Sequence, residues 1–402
     1  MEQLCGSRQQ LRLSPAEFDR LAAGSAGDAL VRTLRSAQRS RTALIIKSLA
    51  DADPALAPAA LLLAQAHDRA PDAVDRVLAH PWLGVWAVDR VRGDAAGRPD
   101  YLPYAALAGA TVAGLAYPPV PPVPCDGVIP VPGLGVWRGT APAGPARWAG
   151  AGWLPVRVVR AAHRGSLLEL AVDDVDPYRD CFGVPVAPRL AADRLAALEG
   201  RLADAWRLLV DHDPGQAAEL AAGLTTLVPL ADVGGGRQSI THADAFGAFA
   251  AHPDADPVDL AVTMVHEFQH SKLNALLGMV RLFGPDDNWY FAPWRRDRRP
   301  ISGLIHGVYA FTAVAEVWHA LRRHEELAAR ATVQFAEVRA RVDRGVRELD
   351  GAPGLTAAGR WWTARLAERI AALMAVPVPA GVDRAARHAL AVTERAWRAR
   401  LP

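Results

Sequence analysis

Lysine is almost absent from this sequence: Lys47 and Lys272 are the only two in 402 residues, so nearly all of the 45 basic side chains are arginine. Together with the abundance of alanine, this points to GC-rich coding rather than to function. Neither sign of charge is in excess. A formal net charge of +2 supplies no global basic field to hold nucleic acid, and none is expected as a partner. Cysteine is scarce too. Cys5, Cys125 and Cys181 are too widely spaced for a metal ribbon, a C-x-x-C redox pair or a disulfide framework, which suits a reducing compartment. No apolar run is expected to reach the roughly 18 residues that cross a bilayer, and the longest candidate, Ala105 to Ala116, is short and built of small residues. Met1 to Arg20 is polar and lacks the apolar stretch of a secretory signal. These absences predict a cytoplasmic protein with no membrane partner.

What is present reads as mostly helical. Ser14-Pro15-Ala16-Glu17 is a helix start, with a cap, a first-turn proline and a glutamate. Helical stretches follow at Asp28 to Ser48, Pro54 to His67, Asp72 to Leu78 and Tyr101 to Leu115. Composition shifts at Tyr117. Pro118 to Gly152 is crowded with proline and glycine, which punctuate turns and short strands. Val156 to Val159 and Leu167 to Val172 are predicted strands, joined by a hairpin turn at His163-Arg164-Gly165-Ser166. Helix resumes over Arg194 to Val210 and Gln216 to Leu224. Gly234-Gly235-Gly236 is a break, and Ser239 to Ala251 reads as an extended edge segment. Three regions result: a helical one over 1–116, a β-containing one over 117–190 and a metal-binding catalytic one over 191–402. The expected class is α+β, predominantly α-helical, with a small mixed or antiparallel sheet and long C-terminal helices.

The sharpest motif is His266-Glu267-Phe268-Gln269-His270. Asp256-Pro257-Val258-Asp259 caps a helix that runs through it to about Leu277 or Gly278. Residues four apart share a helix face, so the two imidazoles aim at one point. Glu267 sits about 100° around from His266, where it can reach a bound water or an outer hydrogen bond. Neutral imidazole suits zinc, iron, copper or nickel. A third donor is expected downstream, and either His306 or Glu316 closes the site. Between the helices, Trp289-Tyr290-Phe291-Ala292-Pro293-Trp294-Arg295-Arg296-Asp297-Arg298-Arg299-Pro300 sets four aromatics among four arginines. An arginine fork grips a carboxylate in two parallel hydrogen bonds, so this loop suits an acidic cosubstrate. No phosphate-binding G-x-x-x-x-G-K-[ST] and no G-x-S-x-G elbow is present.

With these residues in hand, the sequence resembles a family. His266-Glu267-Phe268-Gln269-His270-Ser271-Lys272-Leu273-Asn274, Tyr290-Phe291-Ala292-Pro293-Trp294-Arg295, Arg299-Pro300 and Gly303-Leu304-Ile305-His306-Gly307-Val308-Tyr309-Ala310-Phe311 are similar to the HExxH-motif peptide β-hydroxylases of ribosomal peptide natural-product pathways. The similarity centres on residues 260–315. It implies Fe(II), 2-oxoglutarate and dioxygen as reactants, a precursor peptide hydroxylated at a side-chain Cβ, and a radical SAM maturase as a further partner. It implies that His266, His270 and His306 hold iron. Arg295 or Arg299, with Tyr290, would bind 2-oxoglutarate, and Glu267 would orient a ligand or a water. Arg296 and Arg298 add charge that favours an acidic peptide. Two other readings stand beside this one. In the first, a zinc metallopeptidase uses Glu267 as general base with His266, His270 and Glu316 as ligands. In the second, a non-catalytic protein delivers a leader peptide to a maturase. The order of edge segment and motif helix is zincin-like.

Overall fold

Ser14 and Glu17 form the capping box that the sequence predicts. Glu17 N donates to Ser14 Oγ at 3.3 Å, and Ser14 N donates to a Glu17 carboxylate oxygen at 2.8 Å. Two backbone donors that a helix start leaves open are satisfied reciprocally. They begin α1 (Pro15–Ala22). This computed structural model describes residues 13–94, 100–115, 127–139, 150–232, 234 and 239–399. Gly235 and Gly236 of the glycine break, and parts of the Pro118 to Gly152 expectation, lie outside those residues.

Five more helices follow: α2 (Gly27–Ala52), α3 (Ala57–Arg69), α4 (Pro71–Leu78), α5 (Pro81–Arg92) and α6 (Leu102–Ala113). Helix α5 is absent from the predicted stretches for a physical reason. Trp82, Leu83, Val85, Trp86, Ala87 and Val88 are all buried, so it has no polar face and no amphipathic period to read. A three-stranded antiparallel sheet comes next, from β1 (Val128–Val131), β2 (Gly135–Arg138) and β3 (Trp153–Pro155). The predicted hairpin is β4 (Arg157–His163) and β5 (Ser166–Val172). Its two central residues, Arg164 at φ 47 and Gly165 at φ 79, supply the pair of positive φ angles that a tight two-residue hairpin turn requires.

The second half runs α7 (Ala192–His212), α8 (Pro214–Gly223), β6 (Thr226–Pro229), β7 (Ser239–Ile240), β8 (Ala248–Ala251), α9 (Pro257–Leu277), α10 (Ile301–Leu321), α11 (Ala328–Asp350), α12 (Ala357–Ala375) and α13 (Ala380–Arg398). A mixed sheet takes the order β4-β5-β6-β8-β7, with β5, β6 and β8 parallel and both outer pairs antiparallel. The expected edge segment resolves into two strands: β7 is the edge and β8 lies inside. Strand β6 escapes sequence reading because all four of its residues are buried, leaving no alternation to detect. The fold is thus a predominantly helical α+β one, as expected.

The five-stranded sheet separates two apolar cores. Leu227, Phe249 and Ala251 join one core with α1, α7, α9, α10, α11 and α12. Their neighbours Val228, Ala248 and Ala250 join the other, with α3 to α6 and β1, because successive strand residues face opposite ways. Helix α2 feeds both cores. One expectation needs correction. Helix α10 spans 21 residues with a mean hydropathy of 1.2 over its most apolar window, so one apolar stretch does have the length and composition to cross a bilayer. Its apolarity serves the protein core, since 72% of that window is buried inside the fold.

Candidate metal centre

The orientation of α9 follows from what its other faces hold. Asp256 Oδ1 accepts Val258 N and Asp259 N, each at 3.0 Å, which fixes the helix start. Gln269 Nε2 donates to Gln216 Oε1 on α8 at 3.0 Å. Lys272, fully buried, pairs with Glu219 on the same helix. At about 100° per residue these anchors lie some 60–120° to one side of His266, and Glu267 lies about 100° to the other. The imidazoles of His266 and His270 are left facing α10.

There they meet His306. His266 Nε2 and His270 Nε2 stand 3.1 Å apart, and the opposite ring nitrogen of His270, Nδ1, stands 3.3 Å from His306 Nδ1. The three rings form a chain with His270 in the middle. Burial holds His266 and His306 down to about 4, and burial with the neighbouring His266 and His306 holds His270 down to about 3. All three are therefore neutral at pH 7, the state in which imidazole donates a lone pair. Each residue retains partial exposure.

Two nitrogens bonded to one ion at about 2.1 Å lie roughly 3.0–3.4 Å apart, so the Nε2 pair already has ligand spacing. The third ring is less complete. No choice of one nitrogen per ring brings all three within 4.8 Å of one another, since the only described group that meets this condition is His80, Asp173 and Asp176. His306 has to reorient its ring for its nitrogen to join the pair. His266 and His270 thus have the spacing of an ion's ligands as they stand, and His306, the imidazole beside them, does not complete the set in this arrangement.

The two carboxylates named by the sequence are engaged elsewhere. Glu267 accepts Ser239 Oγ at 2.6 Å on one oxygen and Thr241 Oγ1 at 2.7 Å on the other. It is 3% exposed and ties α9 to the edge strand β7. Glu316 takes both forks of Arg369 in a bidentate ion pair. Neither points at the imidazoles, so His306 rather than Glu316 is the third group beside the pair.

The loop between α9 and α10 is bound to the same place by its aromatics. Tyr290 and Arg299 close it with paired backbone hydrogen bonds at 2.8 and 3.2 Å. Trp294 lies flat on Gly307, where a Cβ would stand only 2.1 to 2.4 Å from its indole atoms. Trp294 also meets Phe311 at 5.1 Å between centroids, and Phe311 meets His266 at 4.7 Å. Arg295 lies on the surface, while Arg299 is partly buried against Gly303. Arg295 Nε donates to Asp297 Oδ1 at 2.8 Å and Arg299 Nε lies 3.2 Å from Asp297 Oδ2. One carboxylate thus sits between the two arginines proposed to bind one. Tyr290 turns its hydroxyl to Asp286 at 2.6 Å, and burial with that carboxylate raises it to about 12. It closes the loop and does not point to the arginine pair.

Sequence reading missed several contributors. Ser239 and Thr241 carry no motif; only their place on the strand before the helix signals a role. Asp297 was legible as the one acid among four arginines. His80 lies far from Asp173 and Asp176 in sequence, and the Asp173-Asp174-Val175-Asp176 run after a strand was the available hint. Comparison with protein-family models returns no match, and comparison with curated proteins returns none either.

Proposed function

We propose that this chain is a peptide β-hydroxylase that uses Fe(II), 2-oxoglutarate and dioxygen, acting in the cytoplasm on a ribosomally made precursor peptide. The observation that carries the reading is the separation of imidazole from carboxylate. Three neutral rings cluster between α9 and α10, while Glu267 and Glu316 are bound to Ser239, Thr241 and Arg369. A zinc peptidase needs a carboxylate at the ion to take a proton from water, and this cluster offers none. An iron oxygenase needs open positions beside its imidazoles and commonly one carboxylate ligand; here His306 would stand in the carboxylate's place.

In this reading His266, His270 and His306 hold the iron. When bound, iron would let dioxygen, the oxidant, put one oxygen atom into the keto acid, giving succinate and carbon dioxide, and the other into the peptide, turning Cβ–H into Cβ–OH. The chain's own residues do the rest. Arg295 and Arg299 neutralise the distal carboxylate, as they neutralise Asp297 in its absence. Trp294 and Phe311 wall the cluster with apolar surface and limit water there. Arg296 and Arg298, on the outer edge of the loop, favour an acidic stretch of peptide. A radical SAM maturase is the expected companion in the pathway.

The test is anaerobic reconstitution with Fe(II), followed by 2-oxoglutarate, oxygen and a candidate precursor peptide. Succinate together with a gain of one oxygen atom on the peptide supports the reading. Zinc-dependent cleavage of the peptide sinks it in favour of the peptidase. Tight peptide binding without turnover sinks it in favour of a delivery protein.

A further inference from the structure

Beyond the imidazole cluster, the second core holds an arrangement that its own protein atoms leave incomplete. His80 stands at the N-cap of α5, and Asp173 and Asp176 follow β5. One donor atom from each lies within 4.8 Å of the other two. Asp173 and Asp176 are 2% and 3% exposed. Their neighbour Asp174 pairs with Arg157 and Arg189. Asp173 and Asp176 have no such partner among the described residues, since the nearby Arg179 directs its guanidinium to the backbone carbonyls of Asp176 and Ala187.

Everything that contacts these two carboxylates donates to them. Trp82 Nε1 reaches Asp173 Oδ2 at 2.6 Å, and the backbone N–H groups of Val175 and Asp176 reach Asp173 Oδ1 at 3.3 and 3.0 Å. The Tyr101 hydroxyl reaches Asp176 Oδ2 at 2.5 Å, and Tyr178 N reaches Asp176 Oδ1 at 2.8 Å. Five donors are set for two anions. Yet two adjacent buried carboxylates repel when both are charged. His80 adds a second, independent gap: its Nδ1 is buried and has no hydrogen-bond partner, an arrangement that native interiors rarely leave unsatisfied. A cation resolves all three features at once, taking the carboxylate charges and a ring lone pair.

We propose that His80, Asp173 and Asp176 form a second cation site, distinct from the imidazole cluster, that takes an oxygen-preferring divalent ion of the Mn(II) class. Two carboxylates and one imidazole make a harder donor set than three imidazoles, so the two sites differ in preference. The ion would tie the start of α5 to the segment after β5, with Trp82 and Tyr101 holding the carboxylates in place as outer hydrogen-bond partners.

The test uses the full chain, stripped with chelator and titrated with Mn(II) while the free ion is followed by electron paramagnetic resonance. The His266→Ala/His270→Ala variant is the background, so that the imidazole cluster contributes nothing. We expect this background to bind one Mn(II), and His80→Gln or Asp176→Asn added to it to weaken binding at least about tenfold, the loss that even an outer partner produces. His80 makes no side-chain capping bond to α5, so His80→Gln stays informative where Asp176→Asn misfolds. Mn(II) should also raise the melting temperature of this background and not that of His80→Gln made in it. Absence of Mn(II) binding in the background variant overturns the proposal and leaves a proton shared by the two aspartates. Equal binding with and without His80→Gln overturns it as well.

Discussion

Thr241 and Glu267 hold each other twice: Thr241 Oγ1 lies 2.7 Å from the Glu267 carboxylate and 3.1 Å from the Glu267 carbonyl oxygen. The acid at the centre of the H-E-x-x-H motif is thereby used to seat β7 against α9. Glu267→Gln should leave the metal affinity of the cluster and its turnover within about twofold of wild type. It should cost about 1–3 kcal/mol of stability, because an amide nitrogen then faces a hydroxyl that needs an acceptor. Thermal unfolding and metal titration of the variant check both halves. Loss of all activity with an unchanged fold would contradict this placement.

Glu316 separates the candidate third ligands. Its partner Arg369 has a side chain only 6% exposed, so removing the carboxylate strands a buried cation. Glu316→Gln should destabilise the fold by about 3 kcal/mol, the low end for breaking a buried pair because Glu316 keeps some exposure. Metal content should not change. Metal analysis showing the ion lost from a folded Glu316→Gln chain would restore Glu316 as a ligand.

Asp297 occupies the place between Arg295 and Arg299 that the proposal gives to 2-oxoglutarate. The Arg295–Asp297 pair is solvent-exposed and worth about 0.2–1 kcal/mol. Asp297→Asn should therefore lower KM for 2-oxoglutarate by up to about fivefold, while Arg295→Ala and Arg299→Ala raise it. Steady-state succinate formation reads this out. KM values indifferent to all three changes would place the cosubstrate carboxylate elsewhere.

The neutral cluster also sets a pH dependence. Folded His266 and His306 titrate near 4 and His270 near 3, against about 6.5 for an unfolded imidazole. The unfolded chain takes up protons first, so stability present above pH 6.5 is lost as pH falls towards 4. For His270 alone the loss between pH 7 and pH 5 is about 2 kcal/mol. Urea denaturation of metal-free wild type and His270→Gln at both pH values should show the difference between them shifting by about that amount against wild type. A constant difference would mean that the rings are hydrated and titrate normally.

How much of this was legible from sequence depended on whether a signal was local. The capping box at Ser14 and Glu17, the turn at Arg164-Gly165 and the cap at Asp256 are set by near neighbours, and all are found where the residues indicate. The pairing of His266 with His270 follows from helix geometry alone. Strand β6 and helix α5 were hidden because burial on every side erases periodicity. What Glu267 and Glu316 contact was also hidden. Their partners Thr241 and Arg369 are 26 and 53 residues away, and only the folded chain decides which of several polar groups arrives first.

The central claim is that His266, His270 and His306 seat one ion. Anomalous diffraction from crystals of the Fe(II)-loaded chain, collected at the iron edge, tests it most directly. The account predicts a peak about 2.1 Å from the Nε2 atoms of both His266 and His270, with the His306 ring turned to complete the set. Iron found only beside His80, Asp173 and Asp176, or rings still bonded to one another with no ion between them, would contradict it.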